Sequence, residues 1–450
     1  MIKDLPFYQR LTRLATPIIL QNLFAQLMNL VSGVMIGQLG DAPVAAQGLA
    51  GQVNFLLTLL LFGVSTGGAI FMAQFWGSRS LHNIHKVMGV TLTLALLVSS
   101  LITLICLFFP TSVLHIFTTD EQVIAQGSQY LRLMAPSFLM LAVNYVFSSA
   151  LRSTGNVKLP MLISTLAMLL DIGLAYGLIF GRLRLPNMGM LGGALALTIA
   201  QTLAVITLLA VIYGRKLPVA ATLKEMFAFD RTFLARLLQR ALPVVANEFI
   251  WGLGINAYYA IYARISTASI AAYNIMYNMD NLAMVVFLGL ADACAIIVGH
   301  TIGEGHEDLA FRYARRIIRI AVGAALVIAA LILIFGPMIL SLYKVSPEVY
   351  QFTRNLILVQ AAFFWARSAN LTTIVGALRS GGDTLFAVLI ELLSMWGVGV
   401  SLAAVGAFLL HLPVYYVYLL AMTDEVLKFI IVQVRFHSRK WIHNLVRVMQ

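Results

Sequence analysis

Nine ionisable side chains fall inside long apolar stretches of this 450-residue chain: Asp171, Glu248, Asp280, Asp292, Arg367, Glu391, Asp424, Glu425 and Lys428. A charge removed from water is costly, so such residues mark ion paths, substrate contacts or internal ion pairs. Glu248 stands out by its neighbours. With Trp251, Ile255, Tyr259 and Tyr262 it recurs at three- and four-residue steps, which sets one carboxylate and three aromatic rings on a single helical stripe. Charge and the ring quadrupole together attract a lipophilic cation. The competing reading is a Glu near the end of its helix, paired with a basic residue.

A second polar stripe holds Asn274, Tyr277, Asn281 and Asp292, with Asp280 beside it. It suits a hydrated cavity or ion path, and equally well hydrogen bonding between helices. Arg367 keeps its proton under all ordinary conditions and needs an acid. Glu391 is the expected structural partner, with Asp280 and Asp292 as alternatives. Asp424 and Lys428, four apart, read as a helical ion pair. In the first half of the chain Asp171, Asn22 and Gln52 are the candidates to line a substrate cleft. His82, His85, His300 and His306 lack metal-ligand spacing, and no P-loop, zinc motif or nucleophile elbow occurs, so neither a metal nor a cofactor nor an enzyme is expected.

The elements that carry these residues follow from composition. Sixty per cent of the residues are hydrophobic, only 11% are charged, and the mean hydropathy is +0.90. Soluble domains carry about 25% charged residues, so lipid must be the solvent of this chain. Apolar runs of roughly 20 residues, the length that crosses a bilayer, recur twelve times. They lie near 14–37, 51–75, 87–109, 129–150, 160–180, 190–213, 241–263, 277–299, 317–340, 355–378, 385–408 and 411–433. The two cysteines, Cys106 and Cys294, fall inside such runs and predict no disulfide.

With the N-terminus placed inside, 22 of the 30 Lys and Arg residues fall on the cytoplasmic side. The net charge of +12 is thereby assigned to topology rather than to nucleic acid. The basic tail with Trp441 is expected to lie on anionic lipid.

The chain also repeats. Pro17 and Pro243, each read as opening a span, are 226 residues apart, and at the same offset Ala42-Pro43-Val44-Ala45-Ala46 meets Ala268-Ser269-Ile270-Ala271-Ala272. Ala150-Leu151-Arg152-Ser153-Thr154-Gly155 meets Ala377-Leu378-Arg379-Ser380-Gly381-Gly382 at 227. An even number of spans between copies makes the halves parallel repeats, an organisation of transporters.

Six short motifs give the chain a family likeness over nearly its whole length: Ala73-Gln74-Phe75-Trp76-Gly77, Ala150 to Asn156, Leu178-Ile179-Phe180-Gly181, Met188 to Ala196, Val298 to Gly305 and Gly376 to Asp383. In this order they resemble the multidrug and toxic compound extrusion (MATE) family. The resemblance implies a V-shaped pair of lobes that exchanges H⁺ or Na⁺ for organic, often cationic, compounds. At three places where the family often has acids, this chain reads Val31-Ser32-Gly33, Trp251 and Ser368.

The expected protein is thus all-α and polytopic, with twelve transmembrane helices in two parallel-repeat six-helix lobes forming a V-shaped cleft. Residues 1–214 form the N-terminal lobe, 215–240 a cytoplasmic linker, 241–434 the C-terminal lobe and 435–450 a basic tail. The expected function is secondary export of lipophilic cationic compounds from a bacterial cell across its inner membrane, coupled to H⁺ or alternatively Na⁺. Its partners are small organic substrates and membrane lipid, and it acts as a monomer. A lipid-linked precursor flippase and a membrane-embedded transferase are the alternatives. Both termini are expected in the cytoplasm. A reporter active only outside the cytoplasm, fused after Gln450, is expected to be silent, and a strong signal would overturn the even span count.

Overall fold

The computed structural model describes residues 5–341 and 343–449; Lys3, counted above among the basic residues, lies outside them. Twelve long helices dominate. The first six are α1 (Leu5–Gly37), α2 (Asp41–Gly77), α3 (Leu81–Phe108), α4 (Glu121–Ser153), α5 (Lys158–Phe180) and α6 (Met190–Gly214). The second six are α7 (Arg231–Ile265), α8 (Thr267–Gly303), α9 (Glu307–Leu340), α10 (Pro347–Leu371, continued by π-helical Thr372–Leu378), α11 (Thr384–Leu409) and α12 (Val414–His437). No strand occurs among the described residues.

Nine of these helices are long and apolar enough to cross a membrane on length and composition alone. The other three, α7, α10 and α12, are long enough but carry charged residues, among them Glu248, Arg367, Asp424, Glu425 and Lys428. Charged and uncharged polar residues together, among them Asn247, Asn256, Gln360 and Asn370, make these helices less apolar.

The repeat is written in the helix starts. The first residues of α7, α8, α9, α10 and α11 each follow those of α1 to α5 by 226 residues. α2 and α8 are both 37 residues long. Neither Pro17 nor Pro243 opens its helix, as the sequence reading had it; both lie inside, at the same depth in α1 and α7. Packing repeats as well. α3 pairs with α4 as α9 does with α10, and α4 pairs with α6 as α10 does with α12. The turns after α4 and α10 use Gly155 and Gly382 at φ +84° and +83°, where a side chain would strain the backbone.

By its contacts the chain divides into two compact units. One comprises Met1–Ile19, Ala73–Ser78 and Gln239–Gln450; the other comprises Leu20–Met72 and Arg79–Leu238. The dividing line therefore runs through α1, α2 and α7. The core of the first unit is built on Tyr258, Tyr262, Met276, Leu356, Val417 and Tyr418.

The C-terminal tail corrects one expectation. Trp441 does not face lipid: it is 0% exposed, stacks on Phe436 with ring centroids 5.5 Å apart, and donates Nε1–H to the Phe436 carbonyl at 2.9 Å. Gln74, from the motif that ends α2, holds the chain beyond it. Its Oε1 accepts the Leu445 amide at 2.7 Å, and its Nε2 donates to the carbonyls of Ser380 at 2.8 Å and His443 at 3.1 Å. Asn444 donates to the Ile302 carbonyl at 3.0 Å. The indole and these backbone groups are satisfied on protein, while Arg439, Lys440 and Arg447 are exposed.

Replacing Trp441 by Ala empties a closed site, for which about 3–5 kcal/mol is typical. A clear fall in the melting temperature of the purified protein in detergent is expected, and an unchanged melt would show that the tail is not part of the folded unit.

Candidate functional site

The polar interior of the C-terminal unit is assembled by α7, α8, α10, α11 and α12. Asp280 of α8 is buried and accepts Arg367 Nη1 of α10 at 2.7 Å. Gln360, two turns before Arg367 on the same face, donates to the same Asp280 oxygen and accepts from the Tyr418 hydroxyl of α12. Tyr418 is packed with Tyr262 and Tyr273 in the aromatic core.

A second group lies along α12. Lys428 Nζ is 3.2 Å from Glu391 Oε1 of α11 and 3.5 Å from Glu425 Oε1. Asn370, one turn after Arg367 on α10, donates to the Glu425 carboxylate at 2.7 Å and to its carbonyl at 2.8 Å. Asp424 accepts from the Tyr258 hydroxyl of α7 at 3.4 Å, while its Oδ1 has no hydrogen-bond partner. A π-helical stretch, Leu392–Val400, begins directly after Glu391. Within it Gly399 leaves the room that Tyr258 and Asp424 occupy, since a Cβ there would overlap the tyrosine hydroxyl.

Electrostatically the balance is uneven. Four buried or nearly buried carboxylates (Asp280, Glu391, Asp424 and Glu425) face two cations, Arg367 and Lys428. Fully ionised, this interior carries a formal charge of −2 in a setting where unpaired charge is strongly disfavoured. The arrangement is one that takes up positive charge.

The expected pairings are rearranged. Arg367 binds Asp280 rather than Glu391, because Gln360 and Arg367 share the α10 face that meets α8. Glu391 is taken by Lys428, whose ion-pair partners are Glu391 and Glu425 rather than Asp424. Glu248 pairs with Arg379 at 2.6 Å, both side chains being buried. The acid–aromatic stripe on α7 is divided: Tyr262 is 0% exposed, Tyr259 is 45% exposed, and Trp251 packs half-buried against the core.

Along α8, Asn274 is exposed while Tyr277, Asn281 and Asp292 are half-buried, and Tyr277 stacks on Tyr273 at 5.9 Å. In the other unit, Asn22 and Asp171 are half-buried and Gln52 is exposed. Among the described residues no group of three or more His, Cys, Asp or Glu is placed to hold a metal ion.

The sequence reading did not single out Gln360, Asn370, Tyr258 or Tyr418. A signal for the first two was present, since both are spaced to share the Arg367 face of α10. The tyrosines gave none, because aromatic residues at helical spacing are usually core.

The MatE family model matches residues 17–177 and 243–405, one match in each half. The chain is 25% identical over 436 residues to the uncharacterized transporter YisQ of Bacillus subtilis, covering 96% of this chain and 94% of that one. It is 21% identical over 436 residues to the probable multidrug resistance protein NorM of Thermotoga maritima, covering 96% and 93%. Among solved structures, an outward-facing multidrug resistance MATE family transporter superposes with a TM-score of 0.88 at 20% identity, covering 96% of both chains. MATE structures in the straight and bent conformations give 0.87 and 0.86, at 19% and 20% identity and the same coverage. Two matched halves, the repeated twelve-helix skeleton and coverage of nearly the whole length lead to one assignment: the chain belongs to the MATE family of membrane transporters.

Proposed function

We propose that this transporter exports lipophilic, cationic organic compounds in exchange for protons taken up by the buried acids of its C-terminal unit. The observation that carries this reading is the imbalance of four carboxylates against two cations away from water. One or two protons bring that interior close to neutrality, and a nearby cationic substrate serves the same electrostatic end. Proton and substrate therefore compete, and each weakens the binding of the other by the same factor.

Protons fit better than sodium. The oxygens of Asp280, Glu391 and Glu425 already accept from Arg367, Gln360, Lys428 and Asn370, whereas a sodium ion needs several oxygens turned toward one point. Asp424 is the acid assigned to the exchanging proton, because among the described residues it accepts a hydrogen bond from Tyr258 alone and its Oδ1 is unpartnered. Glu248 is balanced one-to-one by Arg379 and is not assigned that role. The distribution of Lys and Arg supports a bacterial inner membrane orientation with both termini in the cytoplasm.

Uptake of a fluorescent lipophilic cation into inverted, sodium-free vesicles is expected to follow an imposed pH gradient and to collapse with a protonophore. Asp424→Asn is expected to abolish that uptake at unchanged expression. Transport that needs sodium and survives loss of the pH gradient would overturn the proton assignment.

The same network sets the effect of single changes on stability. Lys428→Met leaves Glu391 and Glu425 without their cation, for which a loss of about 3–5 kcal/mol is expected. Combining it with Glu391→Gln is expected to recover much of that loss in thermal melts. Simple additivity of the two changes would show that the pair does not interact.

A further inference from the structure

The segment that joins α6 to α7 is pinned to the N-terminal end of α3 on one side and left open on the other. The Tyr213 hydroxyl donates to the Ala221 carbonyl at 2.7 Å, and His85 Nε2 lies 2.8 Å from the Pro218 carbonyl. A single-turn helix, Leu223–Met226, starts with a capping box: the Thr222 amide donates to Glu225 Oε2 at 2.7 Å and the Glu225 amide to Thr222 Oγ1 at 3.3 Å. Val219, Ala221 and Met226 are buried. Met226 lies directly over Gly89 of α3, where a Cβ would overlap its carbonyl.

The open side has a particular composition. Leu223 is 72% exposed and Phe227 is 56% exposed; four residues apart, they fall on one face. Arg215, Lys216, Lys224 and Arg231, within twelve residues of both in sequence, are exposed as well. The acids of the segment, half-buried Glu225 and exposed Asp230, are each engaged in a helix cap. Glu225 is held by Thr222, whose hydrogen bonds keep its carboxyl below the usual range, and it lies 3.6 Å from His85. Asp230 accepts the Phe233 amide at 2.8 Å. The segment thus exposes two large apolar side chains and four cations, and is fixed by its contacts to the start of a membrane helix.

We propose that this surface is an interfacial anchor for anionic phospholipid: Leu223 and Phe227 enter the boundary between headgroups and acyl chains, while Arg215, Lys216, Lys224 and Arg231 meet lipid phosphates. Exposed apolar groups beside a cluster of cations bind membranes through both terms together. The basic tail, which the sequence pointed to for this task, is instead docked on protein through Trp441 and Gln74. The proposal concerns the leaflet at this face and does not depend on the transported compound or on the coupling ion.

The test uses the full-length protein with Leu223→Cys labelled by an environment-sensitive fluorophore. Both native cysteines are buried, and signal from unsubstituted protein is subtracted. The protein is placed in lipid nanodiscs of phosphatidylcholine alone or mixed with phosphatidylglycerol. In the anionic discs the emission is expected to shift to the blue and reduction by dithionite to slow about tenfold. Adding Lys216→Gln, Lys224→Gln and Arg231→Gln is expected to remove the difference between lipids. Equal and rapid reduction in both discs would overturn the anchor. Equal protection in both would overturn recognition of anionic lipid. Protection seen only in discs holding two transporters would assign the surface to self-association instead.

Discussion

A lysine ammonium held between two carboxylates, all three largely buried, is the constraint on which the C-terminal unit depends. Lys428 reaches Glu391 on the neighbouring helix and Glu425 on its own. Taking each of these ions out of water costs several kcal/mol, and the attraction between them offsets that only when the geometry is kept. The rotations of α10, α11 and α12 are therefore fixed by polar contacts as well as by packing. Asn370 holds Glu425 from α10, one turn from Arg367, so the two polar groups of the interior share one helix. Moving any of these helices exposes or strands a charge.

The two halves share a skeleton and differ in chemistry. Helix starts repeat at 226 residues through five consecutive helices, yet every ion pair described within the spans lies in the second half. At the repeat offset Asn22 occupies the place of Glu248, and Arg152 that of Arg379. Glu248 and Arg379 form a buried pair, whereas the matching position in the first half supplies an amide in place of the acid. A duplicated backbone has thus kept its geometry while charge was concentrated in one copy. That concentration contributes to α7, α10 and α12 being absent from the helices apolar enough to span on composition alone.

The motifs that carry the family likeness act largely through close packing. Gln74 binds the C-terminal tail with both ends of its amide. Gly381 sits against the Trp441 ring, where any side chain would collide with it, and its carbonyl accepts the His443 amide at 2.9 Å. Gly303 at the end of α8 lies against the Gln74 carbonyl just as closely. Small residues here let backbones touch where lipid supplies no hydrophobic drive between helices. Arg379, inside the same motif, carries the charge that Glu248 needs.

Hydropathy, basic-residue bias and the repeat offset were enough to determine that this chain is a twelve-helix, duplicated membrane transporter, because a lipid solvent demands about twenty consecutive apolar residues for each span. Helix starts were less legible. Amphipathic ends such as Leu5–Arg13 and Arg231–Arg240 continue the helix beyond its apolar stretch, so Pro17 and Pro243 lie within. Of the charges that form the ion pairs within the spans, the sequence had named all but Arg379, and Asp280 was among the partners open to Arg367. What only the tertiary structure decided was the pairing. Helix periodicity relates residues three or four apart on one helix, and by that rule Lys428 belongs to Asp424. The contacts that form run between helices, from α12 to α11 and from α10 to α8, and depend on rotations that no single helix encodes. Trp441 shows the same limit: an indole among cations reads as lipid-facing until packing supplies Phe436 and Gly381 as its surroundings.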